Sequence, residues 1–124
     1  MIAVLDFGSQ YTHLITRRIR ELGVLAEIFD HSISIEKLKQ EHVEGIVLSG
    51  GPNSVYEEGA PHVDKAVFSM GVPILGICYG MQLIACTNGG RVAKGGKWEY
   101  GEKIVSIKEK GKLFAGIDID EVVW

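Results

Sequence analysis

The sequence predicts an α/β fold: a doubly wound, mostly parallel, flavodoxin-like sheet with a small antiparallel addition after residue 90. Three observations carry that prediction. Short β-branched runs alternate with longer segments of helical period, the runs are apolar at consecutive positions, and glycine or polar turns punctuate them. A strand that is apolar on both faces needs helices above and below it, which a parallel sheet with right-handed crossovers supplies.

Residues 2–5 are the first strand. Tyr11, Leu14, Ile15, Ile19 and Leu22 then recur at helical spacing and end at Gly23, a residue suited to the C′ position. Residues 26–29 form a second strand, 35–40 a short helix, and 45–49 a third strand that runs into Gly50-Gly51-Pro52-Asn53. A helix is expected over 61–70, a fourth strand over 72–76, and a helix over 79–87 closed by Asn88-Gly89-Gly90. The pattern then changes, and residues 91–93, 102–107 and 120–124 read as strands joined by turns.

A chain of 124 residues holds one domain, 1–124. It stops on Val122-Val123-Trp124 with no polar tail, which reads as a C-terminal truncation inside a strand. A net charge of −3 gives no electrostatic reason to propose nucleic acid or an anionic membrane as partner. No apolar run approaches the roughly 20 residues of a spanning helix. The N-terminus lacks a basic region and a cleavage site, so it reads as the first strand of a cytoplasmic protein. Cys78 and Cys86, on one helix at about 1.5 Å per residue, lie ~12 Å apart and cannot bridge. A reducing compartment fits. Arg17, Arg18 and Arg20 read as a solvated helix face.

The chemistry concentrates at Gly76-Ile77-Cys78-Tyr79-Gly80. Gly-x-Cys-x-Gly between a buried strand and a helix is the cysteine form of a nucleophile elbow. The glycines allow a close backbone approach, and the strained turn lifts Sγ above the carboxyl edge of the sheet. The helix N-terminus favours a thiolate there. The Tyr79 N–H faces the place where an oxyanion would form, and Gly51, on the loop after the neighbouring strand, offers a second donor. Cys86, between apolar residues further along the helix, reads as core. Residues 90–97 fail as a P-loop, Asp6-Phe7-Gly8-Ser9 lacks a dinucleotide fingerprint, and cysteines and histidines have no metal-ligand spacing.

Leu5-Asp6-Phe7-Gly8-Ser9-Gln10-Tyr11, residues 17–24, Leu48-Ser49-Gly50-Gly51-Pro52, residues 76–82, Glu99-Tyr100-Gly101 and Val123-Trp124 together resemble the class I glutamine amidotransferases. The likeness is to their purine-nucleotide branch. The branches that feed anthranilate or carbamoyl phosphate synthesis share the elbow but differ over residues 6–11. The resemblance implies that Cys78 attacks the side-chain amide of glutamine, with Gly51 and Tyr79 as the oxyanion hole. It implies that Gln82 and the backbone of Gly51–Asn53, including Asn53, contact the substrate. It further implies a partner, an ATP-pyrophosphatase domain or subunit using ATP and Mg²⁺, that spends the ammonia in converting XMP to GMP. No cofactor is implied for this chain itself.

One departure stands out. The family places its base, a histidine oriented by a glutamate, downstream of the cysteine, whereas His13, His31, His42 and His62 all precede Cys78. On a 2-1-3-4 sheet His31 would lie three strands from Cys78, ~14 Å at about 4.8 Å per strand, against the roughly 3 Å a general base requires. Weak activity of the isolated chain is therefore expected. A non-catalytic binding or regulatory module on this scaffold, the glutaminase of another amidotransferase, and a different cysteine hydrolase stay open at this level.

Overall fold

The computed structural model of the chain describes residues 1–95, 103–109, 111–116 and 121–123. It divides into two units, Met1–Ala93 and Lys94–Trp124.

In the first unit, strands β1 (Ile2–Asp6), β2 (Ala26–Asp30), β3 (Gly45–Leu48) and β4 (Ile74–Gly76) form a parallel sheet in the order β2-β1-β3-β4. The interleaved helices are α1 (Thr12–Glu21), α2 (Ile35–Gln40) and α3 (Tyr79–Thr87). Register explains why the strands are apolar at consecutive positions. Ala3 aligns with Ile46 and Leu5 with Leu48, so these four point to one face, where they pack with Ile35 and Leu38 of α2 and with Tyr79 and Leu83 of α3. Val4 and Val47, one residue out of phase, are buried on the opposite face. Helix α1 contacts β1 and β2 and adds nothing to the first cluster, so it covers that second face. Helices on both faces of a parallel sheet are the doubly wound arrangement the sequence predicts.

Helix α1 is where periodicity misleads. Tyr11, Leu14 and Leu22 of the expected apolar stripe are 58%, 45% and 82% exposed, while Thr12 and Thr16 are the buried residues. The Thr12 hydroxyl donates to Asp6 Oδ1 at 3.0 Å, and the Thr16 hydroxyl donates to the Thr12 carbonyl at 2.9 Å. With their polar atoms satisfied, two compact threonines can face the sheet. Arg17 and Arg18 pair with Glu21 on the exposed side, as a solvated face should.

The helix expected over 61–70 is a 3-10 turn, Lys65–Ser69, capped by Asp64 Oδ1 on the Ala66 N–H. A helix beginning at Pro61 would need the Pro61 and His62 carbonyls for its own first turn. Both are taken instead: the Tyr79 phenol donates to Pro61 O, and the His31 ring donates to His62 O at 2.9 Å. The third strand stops at Leu48 and the fourth begins at Ile74, each shorter than expected.

In the second unit β5 (Lys103–Val105) and β6 (Glu121–Val123) pair antiparallel, Lys103 opposite Val123, as a two-stranded sheet of their own. Residues 91–93, expected as a strand, are irregular, and β5 ends at Val105, before the expected positions 106–107. The expected strand positions 102, 120 and 124 lie outside the described residues. No helix among the described residues is long and apolar enough to cross a membrane.

Candidate active site

The chain leaves β4 through Ile77, whose N–H donates to Leu48 O at 3.0 Å, and turns at Cys78 with φ 52° and ψ −108°. That conformation is costly for a residue with a Cβ, and it ends the strand abruptly. The next residues start α3, with the Gly80 N–H donating to Ser49 O (3.2 Å) and Ile77 O (3.0 Å). The flanking glycines are sterically required. A Cβ on Gly76 would fall 2.6 Å from Met81 N, and one on Gly80 would fall 2.3 Å from Leu48 O. Cys78 is exposed at the head of α3.

The loop after β3 lies against this turn. A Cβ built on Gly50 would sit 3.5 Å from the Cys78 Cβ, and one on Gly51 only 2.4 Å from Phe7 O. Gly51 thus passes closer to Phe7, just after β1, than any other residue type could. Among the described residues neither the Gly51 nor the Tyr79 N–H donates to an acceptor in the chain. The structure therefore brings together Cys78, the Gly50–Gly51 peptide and two uncommitted donors on adjacent strand ends. Gln82 reaches the same loop: its Oε1 accepts from the Val55 N–H at 3.0 Å, leaving Nε2 free to face a ligand. The Asn53 side chain turns to Glu57 Oε2 at 3.1 Å, so only its backbone can face a ligand here.

Cys86 is exposed, not core. It lies in the last turn of α3, which at about 1.5 Å per residue has by then run the length of a three-residue strand. No histidine hydrogen-bonds to Cys78 among the described residues. His31 follows β2, at the sheet edge away from β4, with its ring held by the His62 carbonyl.

Sequence reasoning missed an aromatic row. The Phe7 ring stacks on His31 (centroids 5.5 Å, 21° between planes) and meets Tyr79 at 5.4 Å and 51°. Aromatic residues directly after β1 and at the first position of α3 were the available signal, since both strand ends open on one edge. Tyr79 is 1% exposed. Burial pushes its phenol above the usual tyrosine range, and the charges of Glu57 and Cys86 push the same way. The folded state thus holds the neutral phenol, and this contribution to stability is complete below the ordinary value of 10.0 and lost as pH rises past it. Urea midpoints measured from pH 8 to 11 should fall more steeply above about pH 10 in the parent than in Tyr79→Phe. Parallel curves would place the alkaline loss elsewhere.

An exposed cysteine on a strained strand-to-helix turn, beside a glycine loop with unused N–H groups, defines the thiol-dependent acyl-transfer enzymes built on α/β sheets. The model of the family "Glutamine amidotransferase class-I" matches residues 3–124, and the chain belongs to that family. It is 54% identical over 124 residues to the GMP synthase [glutamine-hydrolyzing] of Staphylococcus aureus strains JH9 and Newman. The match covers 100% of this chain and 24% of each relative, so the chain spans about a quarter of their length. A solved structure of a GMP synthase subunit from Thermoplasma acidophilum superposes with a TM-score of 0.84 at 38% identity, over 99% of this chain and 62% of that one.

Proposed function

We propose that this chain is the nucleophile-bearing part of the glutaminase of a GMP synthase. The observation that carries the reading is the exposed, strained Cys78 set against the Gly50–Gly51 loop. Sγ attacks the side-chain carbonyl carbon of glutamine, and the carbonyl oxygen takes negative charge facing the Gly51 and Tyr79 N–H groups. The carbon–nitrogen bond then breaks, the nitrogen leaves as ammonia carrying the proton that the thiol gave up, and a glutamyl thioester remains. Water hydrolyses the thioester, giving glutamate and freeing the thiol. The Gln82 Nε2 and the backbone of Gly51 and Asn53 hold the substrate. The relatives' name supports spending the ammonia in GMP synthesis, and the family resemblance implies that a synthetase part using ATP and Mg²⁺ does so by aminating XMP. A free, exposed thiol suits a reducing, cytoplasmic setting.

A second reading, a binding module on the same scaffold, is favoured by one observation: no histidine among the described residues stands at Cys78. One experiment separates them. Glutamine chloroketone should label Cys78 of the 124-residue chain much faster than a chloroketone without the amino-acid portion, while glutamate release stays near background. Equal labelling by the two reagents would sink the glutaminase reading. Sustained turnover would sink the argument that these residues lack the base.

A further inference from the structure

We propose that Phe7 is a positioning residue that fixes both oxyanion donors at once, with the Ser49 hydroxyl as its link to one of them. The inference rests on the reaction just proposed at Cys78.

The two donors come from different elements: Gly51 from the loop after β3 and Tyr79 from the first turn of α3. Two N–H groups on separate segments act on one oxygen only if something sets their spacing, and misplacement by about 1 Å costs on the order of 10²-fold. Phe7, directly after β1, touches both segments. On the Gly51 side its N–H donates to Ser49 Oγ at 3.2 Å, and the Ser49 hydroxyl donates to Gly50 O at 3.1 Å. That carbonyl and the Gly51 N–H belong to one planar trans peptide, so holding the oxygen aims the N–H the opposite way. The Phe7 carbonyl then closes the space beside Gly51, 2.4 Å from where a Cβ would stand.

On the other side the Phe7 ring meets the buried Tyr79 ring at 5.4 Å, and the Tyr79 phenol is tied to Pro61 O. The Tyr79 side chain is thus fixed at both ends, and its backbone N–H with it. His31 backs the far side of the Phe7 ring, itself tied to His62 O. Phe7 is 3% exposed, buried behind the two donor segments it touches. Its influence on the reaction passes entirely through Gly51 and Tyr79.

The test uses the whole chain, with glutamine chloroketone as the probe of the oxyanion site and iodoacetamide as the control. The chloroketone places a carbonyl where glutamine's would be. Iodoacetamide displaces iodide at a saturated carbon and needs no oxyanion hole. In Phe7→Leu, which keeps most of the volume but not the ring, the limiting labelling rate should fall about tenfold or more. The half-saturating concentration should stay within about threefold, and the iodoacetamide rate within about twofold. Ser49→Ala, which frees the Gly50–Gly51 peptide, should lower the limiting rate in the same selective way, and it carries the test alone if Phe7→Leu shows no cooperative unfolding. Selective labelling of the parent with unchanged limiting rates in the folded variants overturns this inference and leaves the glutaminase reading standing. Equal loss with both reagents also overturns it, because the thiol itself would then have moved. Failure of the parent to label selectively overturns the glutaminase reading, and this inference with it.

Discussion

Replacing Cys78 by glycine is expected to abolish labelling by glutamine chloroketone and to raise the melting temperature in the same step. The loss is that of the proposed nucleophile. The gain follows from φ 52° and ψ −108°, a conformation open to glycine and costing other residues of order 1–3 kcal/mol. Glycine's greater freedom in the unfolded chain takes back about 0.5–1 kcal/mol. The exposed thiol contributes little burial to lose, so a net gain of about 1 kcal/mol, a few degrees in Tm, is expected. Cys78→Ala separates the two effects. It removes the sulfur and keeps the strain, so it should be unreactive and melt close to the parent. A glycine variant that melts no higher than the alanine one would show that the elbow stores no strain at this residue. The comparison also asks why the chain tolerates a cysteine in that turn, to which a sulfur lifted clear of the sheet is the structural answer.

How much of this was legible in the sequence differs from element to element. Helices α2 and α3 run over the residues the sequence predicts, because local signals bound them: Ser34 Oγ accepts from the Lys37 N–H, and Asn88-Gly89 closes α3. The elbow was legible in part for a related reason, since a Cβ on Gly76 would meet Gly80 and Met81 of the same turn, whereas Gly80 is required by Leu48 of β3. The departures at Thr12 and over residues 61–64 involve partners outside the segment concerned. Thr12 is buried because Asp6 accepts its hydroxyl, and residues 61–64 are not helical because His31 and Tyr79 take their carbonyls. Gln82, expected to serve a ligand alone, also holds the loop at Val55, 27 positions away. The proposed Gly51 and Tyr79 donors could be named from spacing. The Phe7–Ser49 link that ties one to β1 could not, because nothing in a single strand announces which neighbour its hydroxyl will meet.

The largest stability loss is expected from Gly80→Ala. An added Cβ would stand 2.3 Å from Leu48 O, 2.6 Å from Leu48 Cβ and 2.7 Å from Leu48 C. None of these atoms is a flexible end that can swing aside. Leu48 is 0% exposed, and its carbonyl holds the Ile77 N–H. Ordinary contact needs about 1 Å more, so α3 must back away from β3, loosening Tyr79 and Leu83 from the core cluster they share with Leu48. Overpacking of this kind costs about 1–3 kcal/mol in a core that can adjust, and more where backbone meets backbone. A loss of about 3 kcal/mol or more in urea unfolding is the expected result. The control lies at the other end of the same helix. Gly89 has φ +81° and open space around its missing Cβ, so Gly89→Ala pays only for the left-handed backbone, about 1 kcal/mol. Similar losses at the two positions would mean that α3 retreats freely. The hydrogen bond from the Gly80 N–H to Ser49 O would then place no constraint on Tyr79, and the spacing of the two proposed oxyanion donors would have to be set without it.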